Sequence, residues 1–284
     1  MRVLKSSPAL NTSLKVHRRK GHTIGFVPTM GYLHEGHLSL VRQAKKKNKI
    51  VVVSIFVNPL QFGPGEDLGR YPRNLKRDLK MLEAEKVDFV FVPLDRKFYS
   101  PDFQTTVSVA RLSRPLCGRT RPAHFAGVCT VVLKLLNSVQ PDVMYLGQKD
   151  YQQYRVVLQM AKDLELPVRI CMAPIVREPD GLAMSSRNIF LSWEERCQAA
   201  FLYRALRECK RLVKNGVRDI FRLKKTMRGV LRKASKARVD TLEIVDADTL
   251  ESMVRLKQGG RALAALAVFF GKTRLIDNIL IEVK

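Results

Sequence analysis

The stretch Pro28-Thr29-Met30-Gly31-Tyr32-Leu33-His34-Glu35-Gly36-His37 decides the fold. Before it, Thr23 to Val27 is a short apolar run of β character; after it, Leu38, Leu40, Val41 and Ala44 recur at helical spacing. The spacing predicts a strand, a glycine-containing turn and a helix. Two histidines flank Gly36 where that helix begins. A helix start carries a partial positive charge and backbone N–H groups suited to phosphate, and imidazoles add donors to them. Gly36 allows a phosphate or an adenine to approach the backbone closely. Taken alone, the pair also reads as capping or surface histidines, and both readings stand at this point.

Outward from this stretch the same unit recurs. Ile50 to Val57 is a continuous apolar run, as in a strand buried on both faces, and it ends in the Pro- and Gly-rich loop Asn58 to Gly65, which contains Gln61. Pro72 to Glu85 has helical periodicity with Pro72 in its first turn, and Val87 to Val92 is the next strand. Thr105 to Val109 alternates like a further strand. Arg119 to Phe125 is a basic loop that either holds an anion or is solvated, and it leads into an apolar helix over Val128 to Leu136. Val143 to Leu146 is a strand followed by Gly147-Gln148-Lys149-Asp150, with a helix from about Asp150 to Leu164 that carries Gln153. Val168 to Met172 is a strand, and Ile175 to Glu178 leads through Gly181 into Met184-Ser185-Ser186-Arg187. Hydroxyls and an arginine after a Gly turn can wrap a triphosphate, although a lone Ser-Ser-Arg also reads as a cap or turn. Alternating strands and helices of this kind predict an α/β fold with a Rossmann-like parallel sheet. After it the pattern changes to two basic helices and three strand-like runs, Thr241 to Val245, Leu263 to Phe270 and Leu275 to Val283, which suit a small antiparallel sheet. The expected division is a Rossmann-like domain over 1–178 and a smaller C-terminal α+β domain over 179–284.

Composition narrows the class. The chain has 284 residues, 46% hydrophobic and 27% charged, which is ordinary for a globular protein with one large domain or two. Ala262 to Phe270 is the longest purely apolar run and falls short of the ~20 residues that span a bilayer. Met1 to Lys20 lacks the apolar core of a signal peptide, and a short strand followed by an amphipathic helix accounts for it. No membrane role and a cytoplasmic location are expected. Five scattered cysteines without a Cys-x-x-Cys read as reduced thiols, and zinc-ligand spacing is absent. The net charge of +25 is the outlier, and Arg196 to Arg238 alone holds 15 Lys/Arg against Glu208 and Asp219. These bases interleave at helical spacing with Leu202, Ala205, Leu206, Cys209 and Val213, then with Phe221, Leu223, Met227 and Leu231. They read as solvated faces of amphipathic helices, without the aromatic series that stacks bases, so no specific nucleic-acid partner is expected. Neither a G-x-x-x-x-G-K-[ST] nor a G-x-G-x-x-G occurs.

His34-x-Gly36-His37 together with Met184-Ser185-Ser186-Arg187 resembles the paired signatures of the HIGH/KMSKS nucleotidyltransferase superfamily. Phe26 to Gly31, Val53 to Pro59, Gln61-Phe62, Tyr71-Pro72-Arg73, Leu116-Cys117-Gly118, Gly147 to Gln153, Val176 to Asn188 and Thr273 to Asn278 extend the likeness. In this order and over nearly the whole chain, they resemble the pantoate–β-alanine ligase family. The resemblance implies that pantoate and ATP give pantoyl adenylate and pyrophosphate, and that β-alanine then gives pantothenate and AMP. It makes 1–178 the domain that binds nucleotide and pantoate. It assigns ATP contacts to Met30, Gly31, Tyr32, Leu33, His34, Glu35, Gly36 and His37, to Gly147, Gln148, Lys149 and Asp150, to Val176, and to Met184, Ser185, Ser186 and Arg187. It gives His37 a proton-donor role, with His34 and Lys149 beside it in the catalytic set, and it gives pantoate to Gln61 and Gln153, with Gln61 also near β-alanine. Mg²⁺ accompanies ATP, with no protein ligand assigned beyond the candidates Asp78 and Asp150, and a homodimer is implied.

The sequence departs from the family at Tyr32, where Ala is usual, at Ala123, where Gly is usual, and at Leu136-Asn137-Ser138. Tyr32 is large for a position beside an adenylate. Two other classes are weighed: another nucleotidylyltransferase of the same superfamily, disfavoured by Gln61 and Gln153 in their contexts, and a nucleic-acid-binding protein, which leaves the histidine and Ser-Ser-Arg motifs unexplained.

Overall fold

The computed structural model describes residues 1–94 and 98–283, so Lys284, the last residue of the expected C-terminal domain, lies outside it. The chain separates into two compact units, residues 1–113, 121–148 and 153–174 in the first, and 114–120, 149–152 and 175–284 in the second.

The first unit is an α/β sheet. Its strands are β1 (Arg2–Leu4), β2 (Ile24–Thr29), β3 (Ile50–Ile55), β4 (Phe89–Phe91), β5 (Val143–Gly147) and β6 (Arg169–Ala173), joined by α1 (Ser7–Arg19), α2 (Glu35–Lys47), α3 (Leu75–Ala84), α5 (His124–Val139) and α6 (Tyr151–Asp163); the short α4 (Cys117–Thr120), between α3 and α5 in sequence, belongs to the second unit. All pairings are parallel, in the order β1-β4-β3-β2-β5-β6. The β-branched run of β3 is buried at every position, as a central parallel strand requires. Val27, Val41, Val51, Val53, Val90 and Tyr145 are fully buried around it. From β2 the chain builds outward to β3 and β4, then returns to the other side of β2 through β5, paired at Gly25–Val143 and Phe26–Met144. The C-terminal ends of β2 and β5 are therefore neighbours at a reversal of strand order, where open α/β sheets take their ligands.

Two expectations need correction. Thr105 to Val109 forms no strand: the Val107 N–H donates to Thr130 Oγ1 on α5 at 3.0 Å, and only Val109 of the five is buried. The helix expected from Pro72 starts at Leu75, because the Asn74 side chain accepts from Arg77 N at 3.0 Å and caps it there.

The second unit packs α7 (Trp193–Ala199), α8 (Phe201–Lys214) and α9 (Ile220–Leu231) on an antiparallel sheet of β7 (Ala237–Asp246), β8 (Arg261–Phe270) and β9 (Thr273–Glu282). The stripe expected on α8 is buried at all five positions. On α9 the stripe is Ile220, Leu223, Met227 and Leu231, whereas Phe221 is 72% exposed. Phe221 sits one residue off the 3.6-residue period and turns away from the sheet. The cysteines are free thiols. Among the described residues no helix is long and apolar enough to cross a membrane.

Candidate active site

The loop after β2 is held in a fixed shape. Gly31 and Tyr32 both lie in the left-handed region, at φ 81° and 48°. A Cβ on Gly31 would meet Ile55 Cγ2 at 3.0 Å and Asp78 Oδ2 at 3.1 Å, so glycine fits both the backbone and the space. Tyr32 has no such freedom, and Asp78 holds it: Oδ2 accepts from Tyr32 N and Oδ1 from Leu33 N, each at 2.8 Å. Asp78 is 1% exposed, and burial pushes its carboxyl up even though the Leu33 and Tyr32 amides and Arg77 oppose the shift. Arg77 donates to Leu33 O at 2.9 Å and lies over the Tyr32 ring at 5.2 Å.

The two histidines close the start of α2. His34 is the N-cap; its Nδ1 accepts from Gly36 N at 3.1 Å, and His37 Nδ1 accepts from His34 N at 3.3 Å. This is a capping box built from imidazoles, with the ring centroids 4.1 Å apart. The capping reading is thus realised, and it also fixes chemistry. With both Nδ1 atoms accepting, each neutral ring carries its proton on Nε2, so each presents Nε2–H as a donor. The Gly36 N–H is engaged by His34. Glu35 pairs with Arg42, which also pairs with Glu85 at 2.6 Å.

Gln61 ends a 3₁₀ turn, Pro59–Gln61, beyond β3. Its Nε2 donates to Met30 Sδ at 3.2 Å and its Oε1 accepts from Asn58 Nδ2 at 3.1 Å, so two predicted residues from separate loops, Met30 and Gln61, are in contact. Buried Asn58 also donates to Gly127 O at 3.1 Å and accepts from Tyr99 Oη at 2.9 Å. The Gln61 carbonyl accepts from His124 Nδ1 at 2.9 Å and from Arg121 Nη2 at 3.1 Å. Arg121 also pairs with Glu66 at 2.5 Å. Burial pushes the Glu66 carboxyl up, but the Arg121 bond and charge outweigh it and leave the group below its ordinary range. Within the basic loop Arg119 is exposed, whereas Arg121 and His124 anchor the turn that carries Gln61. Gly147 ends β5, Gln148 follows it, and half-buried Gln153 lies in the first turn of α6.

In the second unit, Lys149 and exposed Asp150 belong to a 3₁₀ turn, and Asn278 Nδ2 on β9 donates to Lys149 O at 2.9 Å. Val176 to Met184 is a narrow hairpin closed by Met184 N to Val176 O at 3.0 Å and Glu178 N to Leu182 O at 2.8 Å. Ser185 caps the next 3₁₀ turn, Ser186–Phe190, through Oγ to Arg187 N at 3.3 Å, so the cap reading of Ser-Ser-Arg is also realised. Ser186 is buried and Arg187 half-buried. Asp78, Asn58, Arg121, His124 and Asn278 were not singled out as supports, since only their positions across the fold give them that role.

The family model for pantoate–β-alanine ligase matches residues 2–280. The chain belongs to that family. It is 54% identical over 270 residues to the pantothenate synthetase of Caldicellulosiruptor saccharolyticus, covering 95% of each chain. To that of Thermotoga neapolitana it is 52% identical, covering 99% of this chain and 100% of the relative. The crystal structure of the pantothenate synthetase of Thermus thermophilus superposes with a TM-score of 0.92 at 44% identity, over 98% and 99% of the two chains. A pantoate–β-alanine ligase of Francisella tularensis, described as complexed with β,γ-ATP and β-alanine, superposes with a TM-score of 0.81 at 34% identity, over 99% and 97%. The ligase joins pantoate to β-alanine in pantothenate synthesis.

Proposed function

We propose that this ligase works through a pantoyl adenylate. A carboxylate oxygen of pantoate attacks the α-phosphorus of ATP, and the bond to the β-phosphate oxygen breaks to release pyrophosphate. The amine of β-alanine then attacks the pantoyl carbonyl carbon; the C–O bond to AMP breaks, the amide forms, and the ammonium proton is lost. The observation that carries this reading is the imidazole capping box of His34 and His37, whose Nδ1 bonds commit both rings to presenting Nε2–H. Such donors meet negative charge as it grows on phosphate oxygens during the first step, which is where they accelerate it. The nucleotide named in the Francisella tularensis complex supports ATP as the activating substrate.

Within this proposal ATP is held by Met30 to His37, Gly147 to Asp150, Val176 and Met184 to Arg187, with Lys149 as a point charge for phosphate. Gln61 and Gln153 hold pantoate. The Gln61 contact with Met30 and its anchored carbonyl support a fixed amide there. Mg²⁺ arrives with the triphosphate as part of the substrate. Both Asp78 oxygens accept backbone N–H groups, and among the described residues no three His, Cys, Asp or Glu cluster as a metal cage. Bound with the triphosphate, the ion would be held largely by phosphate oxygens and water, as Mg²⁺ commonly is with nucleotides. The proposal includes nucleotide and pantoate binding in 1–178, a lid role for 179–284, a homodimer and a cytoplasmic location. Sedimentation tests the dimer.

Product analysis tests the chemistry. With ATP, pantoate and β-alanine, AMP and pyrophosphate form in equal amounts, and pantoate alone supports ATP–pyrophosphate exchange. ADP and phosphate, formed in a pantoate- and β-alanine-dependent way, would overturn the adenylate route.

A further inference from the structure

The run Thr273 to Asn278 takes part in the family resemblance, yet no role attaches to it. In the structure its last two residues tie two distant segments of the second unit together. Asn278, 4% exposed, donates Nδ2 to Lys149 O at 2.9 Å. Asp277, 2% exposed, takes both ends of one guanidinium: Arg177 Nη1 to Oδ2 at 2.7 Å and Nη2 to Oδ1 at 2.9 Å. The same Arg177 donates to Gly181 O at 3.0 Å, across the hairpin that leads to Met184, and lies 3.8 Å over the Tyr203 ring. Asp277 Oδ1 also accepts from Asn278 N at 2.7 Å, which restrains the backbone from which the Asn278 side chain projects. Gly181, at φ 97°, leaves room for Tyr203, since a Cβ there would lie 2.4 Å from Tyr203 Cδ1. Two segments that are 28 or more residues apart in sequence thus share one buried anchor on β9.

We propose that Asn278, oriented by the Asp277–Arg177 pair, is a positioning residue for the adenylation step. It acts through Lys149 and rests on the assignment of Lys149 to ATP made above. A main-chain bond at Lys149 fixes where its Cα, and so its ammonium, can reach. A lysine side chain has four rotatable bonds, so restraint at the backbone is what limits the phosphate positions it serves. The Arg177 arm holds the hairpin in register by the same anchor, so the turn beginning at Ser185 keeps a constant offset from Lys149 within this unit.

A double-mutant cycle in the intact enzyme, read by pantoate-dependent ATP–pyrophosphate exchange, tests this. Asn278→Ala lowers the exchange rate ~10- to 100-fold with the KM for pantoate little changed, as misplacement of about an ångström does. Lys149→Ala lowers it at least as much, and adding Asn278→Ala to Lys149→Ala costs little more, because the first change has removed what the second acts through. Consumption of preformed adenylate by β-alanine is impaired much less by Asn278→Ala. Additive losses, or wild-type exchange in Asn278→Ala while Lys149→Ala is slow, overturn the positioning role and leave the ATP site standing. Wild-type exchange in Lys149→Ala overturns the assignment of Lys149, and the proposal with it. If Asn278→Ala does not fold, Asn278→Leu fills the same volume without a donor and is read in the same way. Failure of both variants to fold makes the role one of stability alone and overturns the proposal.

Discussion

His37 has two separable jobs, and one substitution parts them. Its Nδ1 accepts from His34 N at 3.3 Å in the capping box, and its Nε2–H is the proposed donor to phosphate. Loss of an N-terminal cap costs about 0.5–2 kcal/mol. Loss of one transition-state donor costs ~10²–10³ in rate, or about 2.7–4 kcal/mol. His37→Ala loses both. His37→Gln keeps the cap, because Gln at the third helical position returns its side-chain oxygen to the N-cap amide. The expected result is a melting temperature for His37→Gln close to wild type, a lower one for His37→Ala, and a loss of ~10²–10³ in adenylation rate in both. The assay is single-turnover pyrophosphate release with pantoate and no β-alanine, run beside a thermal melt. The loss falls in the rate of the step rather than in the KM for ATP, since the donor matters most as charge develops. Near-normal pyrophosphate release in His37→Gln, with a loss confined to His37→Ala and tracking its stability, would refute the reasoning and leave His37 as a cap.

Gly127→Ala is expected to displace the Gln61 turn, because the new Cβ would sit 2.2 Å from Leu60 O and 2.6 Å from Gln61 N. A raised KM for pantoate and a loss of about 1–3 kcal/mol in chemical denaturation follow, and no change in either would remove Gly127 as a spacer. Gln61→Ala and Gln153→Ala weaken pantoate use more than ATP binding, by about 1–3 kcal/mol each; equal losses in isothermal titration of the two ligands would make the amides structural. Asp78 has its folded pKa raised by burial, so its contribution to stability is fully present below the unfolded carboxylate value of ~3.9 and is lost as pH rises through the folded value. The stability advantage of wild type over Asp78→Asn therefore shrinks as pH rises above ~4, and growth of that advantage in urea titrations would contradict the direction. The Arg196 to Arg238 surface is expected to show no tight, sequence-selective nucleic-acid binding at physiological salt; such binding, abolished by charge reversal there, would refute this.

The architecture was legible because its signals are periodic and local. The continuous apolar run at Ile50, the alternation from Thr241 and the stripe on α8 each name an element and its buried face. Thr105 to Val109 shows the limit: alternation invites a strand, but a ladder needs a neighbour, and Val107 found a threonine hydroxyl on α5. Pro72 failed for a different reason, since Asn74 competes for the same helix start and supplies the better cap. At the candidate site, the residues that resemble the family's motifs lie at strand ends and turns, where short patterns are visible. Their supports could not be read, because Asp78 reaches residues 32 and 33 from a helix 45 positions away, and Asn278 reaches Lys149 across 129. Nothing in the spacing of a chain records such distances. The histidine motif admitted both a capping and a chemical reading, and the structure realises the first.

The grip of Asp78 on the loop after β2 is made entirely through main-chain N–H groups. A restraint of that kind does not recognise side-chain identity. Residue 32 can therefore change its side chain while the loop keeps its course, provided the new residue accepts φ near 48°. A residue as large as Tyr32 is what such freedom permits, and Arg77 gives its ring a resting place. Course and surface of this loop are thus set separately: one carboxylate holds the first, whatever side chain supplies the second.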